Sequence, residues 1–192
     1  MSVGAPLYEA VKFRQDDSAL LDALEVVVTD SAFVADVQLA VHRSTLPPIP
    51  KRHLATAIGW VASRRYVDAY PPFYNGLEAA VRCAAQDSGV LDPTDRLSSS
   101  GRKITKIDNV FAGLFSSDPR LRRFMSAWIF GPRGNHFRHG DVDDPAECRR
   151  QSLRLVAAVV GWLEVYGGWN DPDFRERLEF EAERRLLETD VA

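Results

Sequence analysis

The chain has 192 residues, of which 45% are hydrophobic and 27% are charged, and it contains no low-complexity tract. This composition is typical of a folded globular protein and excludes a disordered chain. No apolar run approaches the length of a membrane span, and the first residues lack a signal-peptide pattern, so we expect a cytoplasmic protein without membrane contact. Cys83 and Cys148 have no metal-ligand spacing and are expected to be ordinary thiols.

Charge is distributed unevenly along the chain. Residues 1–100 carry 9 basic and 12 acidic side chains, residues 101–140 carry 8 and 2, and residues 141–192 carry 7 and 13. The middle segment therefore has a net charge of +6 in a chain whose net charge is −3. Such a segment suits an anion-binding surface, although a solvated helix face has the same composition.

Apolar residues recur with the helical period through most of the chain, and no segment alternates long enough to predict a strand. Residues 17–28 and 30–42 are predicted to form two helices. After the proline-rich stretch STLPPIPKR, a third helix is predicted from about His53 to Tyr70. We assign residues 1–70 to an N-terminal helical extension.

Four further helices are predicted near residues 72–87, 101–115, 119–131 and 145–167. Their starts and ends are marked by Pro71-Pro72, Asp118-Pro119, Asp144-Pro145 and Gly167-Gly168. The fourth is apolar on more than one face, which predicts a central position in the core. Short connections favour an antiparallel four-helix bundle over residues 71–167, and thus an all-α protein.

The C-terminal segment, residues 168–192, contains the charged run DFRERLEFEAERRLLETD. The run predicts an amphipathic helix in which one face holds Phe174, Leu178, Glu181 and Arg185. Such a helix suits a surface or a partner better than a core.

Two local patterns suggest ligands. SSSGRK, residues 98–103, precedes a predicted basic helix start, where free N–H groups could hold an anion or simply be capped. It lacks the Walker A spacing. A second group could hold Zn²⁺ or Mn²⁺, but its last member is better placed as the cap of the helix at Pro145, so we expect neither a metal nor a cofactor. That group is His136, His139, Asp141, Asp143 and Asp144.

Titratable and cationic side chains are densest in the stretch FGPRGNHFRHGD, residues 130–141. It holds two of the four histidines and lies in the basic segment between the third and fourth bundle helices. Arg133 stands six residues before His139, and Gly140 follows. This spacing resembles the R-x(4–6)-H motif of the HEPN-domain family, which carries it at the same point of a four-helix bundle. The resemblance covers residues 71–167.

The resemblance implies a metal-independent endoribonuclease that serves as a toxin or antiphage defence effector. It implies a homodimer in which two motifs face one another, with RNA as substrate and an antitoxin or regulatory protein as a candidate partner. The family's roles fall on His139 as general base and Arg133 as phosphate clamp, with His136 and Asn135 as supporting groups. Imidazole titrates near neutrality, and a guanidinium offers a fixed fork of donors to phosphorane oxygens.

The basic side chains around the motif are predicted to bind the phosphates of the RNA backbone. They are Arg102, Lys103, Lys106, Arg122, Arg123 and Arg138.

Gly134 departs from the family pattern, because the residue after the arginine is commonly polar and often asparagine. It favours an alternative in which a HEPN-like bundle has lost catalysis and acts as an RNA-binding or protein-interaction module. Two further interpretations stay open from the sequence. One is a polar turn in which Arg133 pairs with a carboxylate, and the other is an unrelated helical ligand-binding or regulatory domain.

Overall fold

In the computed structural model, the described residues are 18–104, 107–116, 119–131 and 144–168, with 176, 180, 181 and 184 as single residues. Every regular element within them is a helix, which confirms the all-α prediction. None of these helices is long and apolar enough to cross a bilayer.

The helices are α1 (Ser18–Val28), α2 (Ser31–Arg43), α3 (Pro48–Ala62), α4 (Tyr66–Asp87), α5 (Asp108–Leu114), α6 (Pro119–Phe124) and α7 (Pro145–Tyr166). A π-helical turn, Met125–Ile129, directly continues α6. Two isolated β-bridges, Leu91 with Leu97 and Arg96 with Lys103, shape the connection between α4 and α5.

The predicted positions of α1, α2 and α7 are confirmed. α2 begins after Asp30, whose Oδ1 accepts hydrogen bonds from the amides of Ala32 and Phe33, both at 3.0 Å. α7 ends where predicted, with Gly167 as its C-cap and Gly168 at a φ of +68°. These ends depend on groups within one helical turn, which is why a local pattern predicts them.

The prediction of one helix from His53 to Tyr70 is wrong. α3 begins at Pro48. The N–H groups in the first turn of a helix have no intrahelical acceptor, so the N–H that proline lacks costs no hydrogen bond there. α4 begins at Tyr66 and includes Pro71-Pro72. These prolines cannot donate to the carbonyls of Val67 and Asp68, but both of those residues are exposed and their carbonyls can bind water.

The predicted helix start at residue 101 is also wrong, since α5 begins only at Asp108. Residues 98–103 form a turn in which the Leu97 amide donates to the Arg102 carbonyl at 2.9 Å. The amides of Ser100 and Gly101 both donate to the carbonyl of Leu97, and Gly101 has a φ of +65°. SSSGRK therefore caps no helix, and four of its amides already donate to internal acceptors, since Ser98 also donates to the Val90 carbonyl and Arg102 to Ser100 Oγ.

The core is centred on α7, in which every residue from Gln151 to Leu163 is buried. This confirms its predicted central position. α4 packs most extensively against α3 and α7, while α1 and α2 also contact α7. Helices that precede residue 71 therefore share one hydrophobic cluster with those that follow it, and the predicted boundary at 70/71 lies within α4.

Two glycines in helix interiors are expected to respond oppositely to alanine. A Cβ at Gly76 of α4 would lie 2.8 Å from both Cγ and Cδ2 of the buried Leu54, so Gly76→Ala should lower the free energy of unfolding by about 1–3 kcal/mol. A Cβ at Gly59 of α3 would meet only Gln38 Nε2, at 3.6 Å, so Gly59→Ala should raise it by about 0.5–1 kcal/mol. Urea unfolding of both variants checks the pair. Equal shifts of one sign would contradict the close approach of α3 and α4.

Candidate functional site

The motif residues Arg133, Asn135, His136, Arg138 and His139 lie outside the described residues, and so does Lys106. The described chain defines the two points that flank the motif. These are Gly131, after the π-helical turn, and Asp144, before α7.

The N-terminal flank is anchored in the core by Phe130. Its amide donates to the carbonyl of Met125 at 2.9 Å, which is the i to i+5 bond of a π turn. Its ring is 6% exposed and lies 4.9 Å from the Tyr74 ring and 5.3 Å from the Phe111 ring, between centroids. π turns inside helices are frequent at functional sites. The chain therefore enters the motif segment from a firmly packed aromatic residue.

The C-terminal flank is held by the cap of α7. The two carboxylate oxygens of Asp144 accept from the amides of Ala146 and Glu147, at 3.2 and 3.3 Å. This confirms Asp144 as a cap, which leaves it less suited to the metal group that the sequence suggested. Among the described residues, no group of three or more His, Cys, Asp or Glu side chains could hold a metal ion.

Two adjacent pairs of exposed cations lie in the basic segment. Arg102 and Lys103 are exposed in the turn before α5, and Arg122 and Arg123 are exposed in the last turn of α6. The second pair is separated only by Phe124 from the π-helical turn that leads to Phe130. Exposed cations on the approach to the motif suit contacts with a phosphate backbone.

A polar cluster that the sequence did not predict joins α1, α4 and α7. The Glu25 carboxylate accepts from Arg149 Nη2 at 2.6 Å, from Arg64 Nε at 3.3 Å and from the Tyr66 hydroxyl. Arg149 also binds Asp22, one turn earlier on α1. These partners are 39 to 127 residues apart in sequence, so no local spacing could have revealed them.

The protonation chemistry of this cluster indicates a structural role. Burial alone would raise the pKa of Glu25, but the hydrogen bonds from Arg149 and Tyr66 and the nearby positive charges outweigh it and hold that pKa below its ordinary value. Burial, together with Glu25, raises the pKa of the Tyr66 hydroxyl. The carboxylate is thus a weaker base and the phenol a weaker acid than usual, which is the opposite of what acid–base catalysis needs.

Replacement of Glu25 by glutamine should destabilise the protein in a pH-dependent way. Because its folded pKa is lowered, ionised Glu25 stabilises the fold above roughly pH 4.3, and this contribution is lost as the pH falls through the folded pKa. Glu25→Gln should therefore lower the free energy of unfolding by about 1–2 kcal/mol at pH 7, and the difference from wild type should shrink below pH 4. Urea unfolding at several pH values measures this.

Asp68→Asn provides the matched control for Glu25→Gln. The Asp68–Arg65 pair has exposed side chains on both sides and should contribute less than about 0.5 kcal/mol. A deficit in Glu25→Gln that stayed constant from pH 7 to pH 3 would contradict the role assigned to the carboxylate.

The central helix also buries polar side chains. Ser152 donates to the carbonyl of Tyr66 at 3.1 Å and ties α7 to the start of α4. Gln151 and Arg154 are buried as well, and Arg154 is 7% exposed although its guanidinium stays charged in proteins. The signal for this buried charge in the sequence is a single cation within the apolar run LRLVAAVV.

A surface groove of about 560 Å³ lies between the start of α3 and the last turns of α4. Its polar wall is occupied by internal pairs, since Arg82 binds Glu78 and Asp95, and Gln86 also binds Asp95. Burial and the nearby carboxylates raise the pKa of the groove residue Cys83, which disfavours the reactive thiolate. The described lining of this groove therefore offers no group suited to catalysis.

Comparison of the chain with protein-family models, with curated proteins and with solved structures found no match.

Proposed function

We propose that the chain is a metal-independent endoribonuclease of the HEPN type, acting in the cytoplasm as a toxin or antiphage defence effector. The observation that carries the proposal is the Arg133–His139 motif, which lies in the basic segment and is flanked by two anchored residues, Phe130 and Asp144. In this proposal α4, α5, α6 with its π turn, and α7 correspond to the four helices of a HEPN bundle.

The proposed reaction is an internal displacement at phosphorus. His139 takes the proton of the ribose 2′-hydroxyl, and the 2′-oxygen attacks the adjacent phosphate while Arg133 binds the negative oxygens. The bond to the 5′-oxygen then breaks, and this leaving group takes up a proton from an imidazolium. The products are a 2′,3′-cyclic phosphate and a 5′-hydroxyl. The nucleophile belongs to the RNA itself, so the chemistry of these residues does not require a metal ion.

Each motif supplies one arginine and one base at the required spacing, so we propose a homodimer in which two motifs form one composite cleft. The proposed interface lies near residues 131–141. A protein that sediments as a monomer at micromolar concentration and still cleaves RNA would contradict the composite cleft.

The decisive experiment is RNA cleavage by the purified chain in EDTA. The substrate is a single-stranded RNA, and the matched control is the same sequence with 2′-O-methyl riboses, which cannot supply the nucleophile. The expected result is cleavage of the first alone, with cyclic phosphate ends identified by mass spectrometry. Cleavage of both substrates, or 5′-phosphate products, would contradict the mechanism.

The alternative supported by Gly134 is a module that binds RNA or a protein without cleaving. RNA that is bound in EDTA and recovered intact from the wild-type chain would favour it over the enzyme.

RNA binding is expected to weaken steeply with salt. Each phosphate contact that is lost should flatten the log–log salt slope by about 0.7, because fewer counterions are released. A first variant reverses the charges of four exposed cations, and a second variant reverses Lys106 and Arg138 as well. Arg43→Glu with Arg52→Glu is the control outside the basic segment. Unchanged affinity and slope in the test variants would move the RNA surface elsewhere. The four exposed cations are Arg102, Lys103, Arg122 and Arg123.

A further inference from the structure

Helix α2 presents a leucine to solvent on the side opposite its buried side. Phe33, Val37 and Val41 are buried on one side of the helix. On the opposite side, Leu39 is 44% exposed. A single exposed leucine is common on protein surfaces and needs no explanation by itself. The residues around Leu39 on the same side therefore decide whether it marks a contact.

The exposed residues around Leu39 follow the spacing of paired helices. Ala32, Asp36, Leu39 and Arg43 are separated by four, three and four residues, and all four are exposed. Residues at these spacings lie along one stripe, within about 60° of Leu39 around the helix, and are the ones that meet when two helices pair. Ala32 and the exposed Ala35 are small, so a second helix can approach closely. We call these five residues the α2 face.

The charges of α2 are polarised along the helix. Asp36 lies about one turn before Leu39, and Arg43 lies about one turn after it. A second cation reaches the basic end, because Lys51 Nζ donates to the carbonyl of His42 at 2.7 Å. Within the part of the chain that the structure describes, the side chains of Asp36 and Arg43 make neither an ion pair nor a hydrogen bond. Both charges are therefore available to a partner.

A second copy of α2 in the antiparallel orientation complements this face. A twofold axis pairs residue i of one copy with residue j of the other, and j with i. Along the helix axis, Asp36 stands about 4.5 Å before Leu39 and Arg43 about 6 Å after it. These two residues also lie only about 20° apart around the helix, so a twofold axis near Leu39 brings each aspartate to the arginine of the other copy. Parallel helices would instead bring like charges together.

We propose that the α2 face binds the same face of a second copy of the chain, with the two helices antiparallel. The two Leu39 side chains meet near the twofold axis, and two symmetric Asp36–Arg43 pairs lie along one edge of the contact. Burial of the leucines stabilises the contact, and the charge pairs fix its orientation. Two helices of 13 residues form less than a standard protein interface, so we expect weak association that weakens further in salt.

Sedimentation equilibrium of the full chain at low salt, from about 1 to 500 μM, tests the contact. Asp36→Arg and Arg43→Glu should each raise the dissociation constant about tenfold, since each change turns two symmetric attractions into repulsions. The double variant Asp36→Arg/Arg43→Glu keeps the net charge of the wild type and exchanges the two signs. It should return to within about threefold of wild type, because both pairs across the antiparallel contact are again attractive.

Leu39→Ala should raise the dissociation constant at least about threefold, because apolar contact near the axis is lost. Its matched control is Val26→Ala, since Val26 of α1 is 43% exposed. Asp87→Arg, at the exposed end of α4, repeats the charge change of Asp36→Arg away from α2. Neither control should change association. Thermal unfolding at about 1 μM should match wild type for every variant, because the altered side chains are exposed.

A wild-type chain that stays monomeric up to about 500 μM would overturn the proposal. So would a double variant as weak as either single one, or controls as weak as the test variants. Association that is insensitive to every α2 change would also overturn it and would assign the dimer to another surface, such as the proposed interface near residues 131–141. The α2 contact does not depend on RNA cleavage. It is too weak to form below about 1 μM, so Arg43→Glu remains a valid control for RNA binding measured there.

Discussion

Replacement of His139 by alanine is expected to abolish RNA cleavage in EDTA, with a loss of at least about 100-fold, because the 2′-hydroxyl would lose its general base. Arg133→Ala should cause a loss of similar or greater size, since the phosphorane oxygens would lose a fixed cation. His136→Ala should only slow the reaction, because it lacks an arginine at motif spacing and a following glycine. Initial rates on a fluorescent RNA measure all three.

His42→Ala is the matched control for these variants. His42 is exposed in the last turn of α2, outside the basic segment, so its loss should leave cleavage unchanged. Cleavage that required Mn²⁺ and disappeared in Asp143→Ala would favour the metal group of the sequence analysis. Variants that lost RNA binding or dimerisation, from a wild-type chain that never cleaved, would make the motif a recognition element.

Phe130→Ala is expected to have the largest effect on stability among changes next to the motif. The ring is buried between Tyr74 of α4 and Phe111 of α5, and the aromatic contacts continue through Phe115 to Tyr166 at the end of α7. Truncation of such a side chain leaves a cavity that the surrounding helices fill incompletely. The free energy of unfolding should fall by about 3–5 kcal/mol.

Urea unfolding measures this loss, and Val67→Ala is its control because Val67 is 51% exposed on α4. The control should change the free energy of unfolding by less than about 0.5 kcal/mol. Phe130→Leu should cost less than Phe130→Ala, since it keeps most of the apolar volume. Equal stability of Phe130→Ala and wild type would contradict the packing that anchors the N-terminal flank of the motif.

The residue types of the proposed site could be predicted from the sequence, because the motif needs an imidazole and a guanidinium at one spacing within a basic segment. The structure adds how the two residues that flank the motif are anchored. The role of Asp144 as a cap could be predicted, since capping depends on an aspartate next to Pro145. The anchoring of Phe130 could not be, because its two ring partners come from distant parts of the chain.

The two wrong helix predictions have different physical reasons. Pro71-Pro72 predicts a helix boundary, yet α4 continues through both residues, and the neighbouring Tyr70 and Phe73 are buried in the core. Packing therefore outweighs local propensity there. At residues 98–103 the backbone closes on itself through short-range hydrogen bonds of a turn, so the helix begins later.

The sequence by itself determined the all-α class, the central position of α7, the C-terminal end of α1 and the ends of α2 and α7. Apolar periodicity and capping groups depend on residues that are close together in the chain, so both can be recognised in the sequence. Only the tertiary structure decided that Glu25, Tyr66 and Arg149 meet, and that Gly76 must be small to admit Leu54. Such contacts join residues far apart in the chain, and they form only when several helices are packed together at once.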